Sequence, residues 1–161
     1  MVVKFAIISG FLFGLIKVGA YPRHASCKVD WTFELPCQEV HDRIVSQMQK
    51  WKGPENCESG GEKCLYELTS SDGGAITGKH TTPVNKYVDS LRFILDESDG
   101  LCKVKGTSSS DLDYAYLDYS TNYCNLHNLI EGAQLHTEKG YSETTDNDVC
   151  TQYSSANCEV Y

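Results

Sequence analysis

The chain has 161 residues, 14 of them basic and 22 acidic, for a formal charge of −8 at neutral pH. That balance repels phosphate backbones and anionic lipid surfaces over a Debye length, which argues against a nucleic-acid partner. Eight cysteines in so short a chain point to an oxidising compartment.

Met1 to Lys4 form a short basic start, and Phe5 to Ile16 an uncharged apolar run. The run is shorter than the roughly 20 apolar residues that span a bilayer. Val18, Gly19 and Ala20 then supply the small side chains that a signal peptidase reads, so residues 1–20 are expected to be a signal peptide and 21–161 a single secreted, extracellular domain. Lys4 and Lys17 fall in the leader, which leaves the remainder more acidic still. No later stretch is apolar and long enough for a membrane span, and no Asn-x-Ser/Thr acceptor occurs, so charge is left to keep the surface soluble.

Pro36 to Trp51 predicts an amphipathic helix. Cys37, Val40, Ile44, Met48 and Trp51 recur in steps of three and four, Pro36 suits the first turn, and Gly53-Pro54 ends the pattern. From Lys63 the period falls to two, as in an antiparallel meander. Lys63 to Thr69 predicts a strand, Asp72-Gly73-Gly74 a tight turn, and Ala75 to Thr81 the returning strand. Tyr87 to Leu95 predicts the next strand, Asp96 to Gly100 a turn, and Leu101 to Lys105 its partner. Asp111 to Tyr119 and Tyr123 to Ile130 read as a further hairpin around Ser120-Thr121-Asn122. Glu131 to Tyr161 is polar and weakly periodic, with one short strand near Gln134 to Thr137.

Cys27, Cys37, Cys57, Cys64, Cys102, Cys124, Cys150 and Cys158 all follow the predicted cleavage point and are expected to form four disulfides. About a hundred pairings are open to eight cysteines. Short loops between Cys57 and Cys64 and between Cys150 and Cys158 permit local pairs, while Cys37, on the buried helix face, is expected to tie the helix start to the surface beneath it. A zinc site is disfavoured, since there is no CxxC pair and no histidine at ligand spacing beside a cysteine.

His24, His41, His80, His127 and His136 belong to no catalytic motif, and no GxSxG elbow is present. A protein without catalytic activity, metal or cofactor is therefore expected. Acidic groups at Asp96, Glu97 and Asp99, at Asp111 and Asp113, and at Asp146 and Asp148 offer calcium-like oxygen ligands but lack the EF-hand spacing and read as solvated turns. Ten tyrosines are more informative, because an apolar body with a wet hydroxyl suits the mouth of a pocket or an interface; Tyr114 and Tyr116 share one side of their segment.

Cys27 to Phe33, CKVDWTF, looks like the CKxxNTF signature of secreted pancreatic-type ribonucleases, with Trp31 where the signature has asparagine and no matching histidine motif near the C-terminus. HTTPVNKYVDSLRFIL, a Cys-containing hairpin and YAYLDYSTNYCNLHNL, together spanning about Lys63 to Glu131, resemble ependymin-related secreted proteins. That resemblance implies a curved antiparallel sheet around an apolar cavity, with lipid-like ligands and calcium as associated partners. YAYLDYSTNY is also similar to the paired strands of lipocalins, without their Gly-x-Trp, and a helix followed by a meander resembles cystatins, without their Gln-x-Val-x-Gly loop.

The fold expected is α+β: an N-terminal amphipathic helix packed on an antiparallel, curved β-meander sheet of about six strands, stapled by disulfides. The function expected is binding of a small apolar or lipid-like ligand in a cavity of that sheet, walled by Leu91, Phe93, Tyr114, Tyr116 and Leu126. The alternative is an extracellular protein-interaction module or protease inhibitor.

Overall fold

The computed structural model describes residues 24–72, 74–112 and 114–161. The predicted signal segment 1–20 lies outside them, as do Gly73 of the predicted turn and Asp113 of one acidic group. In chain order the elements are β1 (Ser26–Phe33), α1 (Cys37–Lys50), β2 (Tyr66–Asp72), β3 (Ala75–Thr81), β4 (Val88–Ser98), β5 (Leu101–Ser110), α2 (Thr121–Gly132) and β6 (Ser142–Thr144), with short 3-10 turns between them. The six strands form one antiparallel sheet in the order β2-β3-β4-β5-β1-β6.

Sequence alternation explains most of this sheet. In β1, Cys27, Val29, Trp31 and Phe33 face inward while Lys28 and Asp30 face water. In β4, Leu91, Phe93 and Leu95 are buried and Arg92 and Ile94 are exposed. Both helices pack on the buried face and on each other, α1 against β2, β4 and β5, and α2 against β1, β4 and β5. Trp31 stacks on Phe93 at 6.2 Å, and both are fully buried with Ile44 and Met48 of α1 and Leu126 and Leu129 of α2. Gly106 of β5 is what admits Trp31, since a Cβ there would stand 2.5 Å from Trp31 Cζ3.

The helix predicted at Pro36 to Trp51 is α1, and Cys37–Cys102 ties its start to β5 beneath it. Pro36 offers no side-chain cap, and the Cys37 amide donates instead to Glu97 Oε2 at 3.1 Å. β3 has the predicted limits, and β4 and β5 turn at Asp99 and Gly100, both at positive φ as a two-residue hairpin requires.

Five expectations are corrected. The helix is not the first element, because β1 precedes it and takes the place beside β5 that a continuing meander would have used. Among the described residues, those from Asp111 to Tyr119 consequently form a loop without a strand partner, although the sequence there alternates. Tyr123 to Ile130 is helical, within α2; nine of the twelve residues of α2 are buried, so it lacks the polar face that marks a surface helix. Gln134 to Thr137 holds a 3-10 turn rather than a strand, and the C-terminal strand is β6. Of the two local pairings, Cys57–Cys64 forms, whereas Cys150 and Cys158 reach back to Cys27 and Cys124 respectively.

Candidate functional site

Three loops meet where β4 begins and β5 ends. Thr82 to Lys86 turns the chain from β3 into β4, and the Thr82 hydroxyl accepts from the Tyr87 amide at 2.9 Å. After β5, the Asp111 amide donates to the Val88 carbonyl at 2.9 Å, so the Asp111 to Ser120 loop leaves the sheet directly beside this turn. Gln152 Oε1 fixes the far end of that loop by accepting from the Asp118 and Tyr119 amides at 3.0 and 2.9 Å. Tyr119 stacks on Tyr161 with ring centroids 6.0 Å apart.

These segments enclose a cavity of about 300 Å³, the most enclosed and most apolar in its lining of the four cavities described. Its rim is aromatic, with Tyr87, Tyr114, Tyr116 and Tyr119 all at least half exposed and Tyr161 beside them. Its deeper wall is acidic, from Glu62, Asp89 and Asp118.

Each carboxylate is held differently. Asp118 caps α2: Oδ1 accepts from the Ser120 amide at 3.1 Å, and Oδ2 accepts from the Asn122 amide at 3.1 Å and from Asn122 Nδ2 at 2.7 Å. Burial still holds its carboxyl above the ordinary value, against those hydrogen bonds. Asp89, only 3% exposed, accepts from Asn125 Nδ2 at 2.7 Å. Burial, reinforced by the charges of Asp118 and Asp111, pushes it up to about 6, although the Asn125 hydrogen bond pulls the other way. Glu62 Oε2 is removed from solvent and has no hydrogen-bond partner. Burial and the nearby Asp89 charge push Glu62 to about 7.

A carboxylate so placed opposes folding when ionised. Because the folded value lies above the unfolded one, the penalty is absent below about pH 4.5, grows as pH rises and is complete above about pH 7. Glu62→Gln is therefore expected to raise the stability of the empty protein at pH 8 by about 1 kcal/mol, after allowance for solvent screening, and to leave it unchanged at pH 4. Urea midpoints at the two pH values check this, and an equal gain at both would assign the effect to packing.

Tyr114 and Tyr116 of the predicted cavity wall line this cavity at 71% and 69% exposure. Leu91, Phe93 and Leu126 do not; they are packed in the core between the sheet and the helices, so the structure does not bring the five together. Sequence reasoning missed Glu62, Asp89 and Asp118. A signal was available in α2, where Asn122, Asn125 and Asn128 recur every third residue and all are buried. Two of these amides, with Ser108 between them, join Asp89 to Asp118 through the interior.

The histidines lie in separate networks. His41 bridges Asp42 and Ser71, each at 2.9 Å; His80 bonds the Glu62 carbonyl at 2.9 Å; His127 bonds Glu143 at 3.1 Å. Among the described residues, no group of three or more His, Cys, Asp or Glu side chains is placed to hold a metal ion. Four of the acidic residues have structural roles instead: Glu97 accepts from the Cys37 amide, Asp99 pairs with Lys103, Asp111 with Lys79, and Asp146 accepts from the Asp148 amide. No helix among the described residues is long and apolar enough to cross a membrane.

No family model matches the chain, and no curated protein matches it. Among solved structures, the crystal structure of Ara h 8.0201 superposes with a TM-score of 0.35 at 10% identity, over 67% of this chain and 91% of that chain. A likeness of that size carries no argument about function. The resemblance to ependymin-related proteins also loses one of its segments, because YAYLDYSTNYCNLHNL is a loop and helix α2, not a strand pair.

Proposed function

We propose that this is a secreted binding protein without catalytic activity that holds a small ligand with an apolar body in the tyrosine-rimmed cavity. The observation that carries this reading is where the exposed apolar surface is gathered. Of nine large hydrophobic or aromatic side chains exposed among the described residues, five line this one mouth: Tyr87, Tyr114, Tyr116, Leu117 and Tyr119. Exposed apolar surface collected around a concavity marks a binding site, whereas scattered residues need no explanation. The volume sits at the lower end of ligand cavities, which favours a compact molecule. Four disulfides and the leader-like segment 1–20 support export.

Protein secreted from an oxidising host and examined by native mass spectrometry is expected to carry a small molecule or to take one up from a fragment mixture. Tyr114→Ala with Tyr116→Ala is expected to weaken that binding at least tenfold without changing the near-ultraviolet circular dichroism arising from the core. Val84, 83% exposed and close by in the Thr82 to Lys86 turn, favours one competing reading, in which the same patch docks a protein. Loss of a captured protein in the double variant, with no small molecule bound by either form, would replace the ligand reading with that one.

A further inference from the structure

We propose that the ligand is a compact organic cation, a protonated amine or quaternary ammonium, with its charge against Glu62 and Asp89 and its body among the tyrosines. This inference rests on the small-ligand reading above and adds the chemical class.

Three observations select the charge. First, the described lining contains three carboxylates and no lysine, arginine or histidine. An anionic ligand would meet uncompensated repulsion in a partly desolvated site, where charges are poorly screened. Second, none of the neighbouring lysines faces the site: Lys86, in the turn before β4, is exposed and lines a different cavity with Met48 and Leu68, and the others are paired with other carboxylates. Lys63, next in sequence to Glu62, turns to Glu131 and Glu159 at 3.1 and 3.5 Å, and Lys79 pairs with Asp111 at 3.3 Å. The protein thus supplies no internal counter-ion for Glu62 and Asp89. Third, Glu62 Oε2 is buried without a donor, a state that native structures seldom tolerate unless something outside the chain completes it. A neutral apolar ligand would cover that oxygen and leave it unpaired. An ammonium group would donate to it.

The rim suits the same charge. Aromatic faces attract cations through their quadrupoles, and quaternary ammonium groups are recognised by aromatic cages. Tyr119 and Tyr161, nearly parallel at 13°, form a paired wall beside Tyr114 and Tyr116. A metal ion is the other cation to consider, and the carboxylates are not arranged for one. Asp118 already accepts three hydrogen bonds as the cap of α2, and no three-ligand cluster exists among the described residues.

Affinity should then follow the ionisation of the two carboxylates. Asp89 on β4 faces Glu62 from the loop before β2, Asp111 after β5, Asp118 before α2 and the neutral Asn125 amide of α2, with His80 opposite it on β3. Burial holds His80 down at about 4, so it stays uncharged across the range that matters. The groups facing Asp89 and Glu62 are acids or groups uncharged in this range, the Tyr66 phenol and the His80 imidazole included, so protonation as pH falls through about 7 and then 6 removes the attraction for a cation.

Three probes of one size and shape separate the possibilities: phenethylamine, 2-phenylethanol and 3-phenylpropionate, titrated into the oxidised protein by calorimetry and by amide NMR. The amine is expected to bind at least tenfold more tightly than the alcohol, with no measurable binding of the carboxylate. Its affinity is expected to fall at least tenfold between pH 8 and pH 5. Asp89→Asn and Glu62→Gln should each weaken the amine at least tenfold and leave the alcohol unchanged. Should Asp89→Asn fail to fold, Glu62→Gln decides alone, since it removes a destabilising charge. Equal binding of amine and alcohol at the Tyr114 to Tyr119 loop would overturn the cation and leave the small-ligand reading standing. Displacement of the amine by calcium at millimolar concentration would replace the organic cation with a metal. No shift of that loop with any probe or with a neutral fragment set would overturn both.

Discussion

Replacing Cys27 and Cys150 together with alanine is expected to lower stability by about 5 kcal/mol, the largest loss among the four cross-links. The two residues are 123 positions apart in sequence, the longest span that any of the disulfides closes. In the chain-entropy account a cross-link acts on the unfolded ensemble, by an amount that grows with the logarithm of the loop it closes: about 5 kcal/mol for this span and about 2 to 3 kcal/mol for a loop as short as that between Cys57 and Cys64. Small domains have a total margin of about 5 to 15 kcal/mol, so the Cys27 and Cys150 variant is close to unfolding at body temperature while the Cys57 and Cys64 variant is not. There is a structural consequence as well. The bridge sits between hydrogen bonds from the Lys28 amide to the Val149 carbonyl at 3.1 Å and from the Thr151 amide to the Ser26 carbonyl at 2.9 Å, which hold the C-terminal segment along β1. That segment carries Gln152, the anchor of the tyrosine loop, so binding is expected to weaken before the sheet melts. Urea unfolding of both pairwise alanine variants tests the ordering, and equal losses would reject the loop-length argument.

How far the sequence reveals this fold depends on whether an element has one buried face or two. α1, β3 and the β4–β5 hairpin bury one face and carry polar residues on the other, so their periods are plain. α2 is enclosed by the sheet, α1 and the C-terminal segment, and its partners are buried amides as much as aliphatic groups. Asn122, Asn125 and Asn128 read locally as turn formers, and only their three-residue spacing shows a helix. β1 alternates as regularly as β4, but CKVDWTF lies just before the helical pattern of α1 and stands apart from the meander that follows Lys63, so its period alone does not place it in the sheet. Asp111 to Tyr119 shows the converse, alternation without a strand, because the only open position beside β5 is filled by a strand from the other end of the chain.

The site was legible only at its rim. Tyr114 and Tyr116 stand out as tyrosines with one wet side, but the cavity they line lies among loops at the end of the sheet and not inside the sheet, whose buried face is filled by core. Leu91 and Phe93 share their apolar character with any wall of a hollow sheet, and what makes them core is two helices covering that face, a fact of tertiary packing. Glu62 and Asp89 look like ordinary surface acids in sequence. Their chemistry arises from burial, which the residue type itself argues against.

Glu143→Gln is expected to cost about 1 to 2 kcal/mol at pH 7, after allowance for solvent screening, and the loss should disappear in acid. Glu143 of β6 receives four donors: Trp31 Nε1 at 2.8 Å from β1, the Tyr123 hydroxyl at 2.7 Å and His127 Nδ1 at 3.1 Å from α2, and the Tyr141 hydroxyl at 3.1 Å. Burial alone would raise its carboxyl, the side chain being 13% exposed, but the hydrogen bonds from His127, Tyr123 and Trp31 outweigh burial and hold it at about 2. Since the folded value is below the unfolded one, this carboxylate stabilises the fold fully above about pH 4.5, and its contribution is lost as pH falls towards 2. With the screening that a partly solvated carboxylate still receives, that lowering corresponds to about 1 to 2 kcal/mol. Asp89 and Glu62 work in the opposite direction, because their penalty is relieved as pH drops below 7. The parent protein is therefore expected to be most stable near pH 5, with an acid limb set by Glu143 and a neutral limb set by the cavity carboxylates. In Glu143→Gln the acid limb should flatten while the neutral limb is unchanged; in Glu62→Gln the reverse should hold. Urea midpoints from pH 2 to pH 8 for the three proteins separate these effects. A Glu143→Gln deficit that persists at pH 2 would mean that the side chain acts through shape alone and that its charge contributes nothing to holding β6 on the sheet.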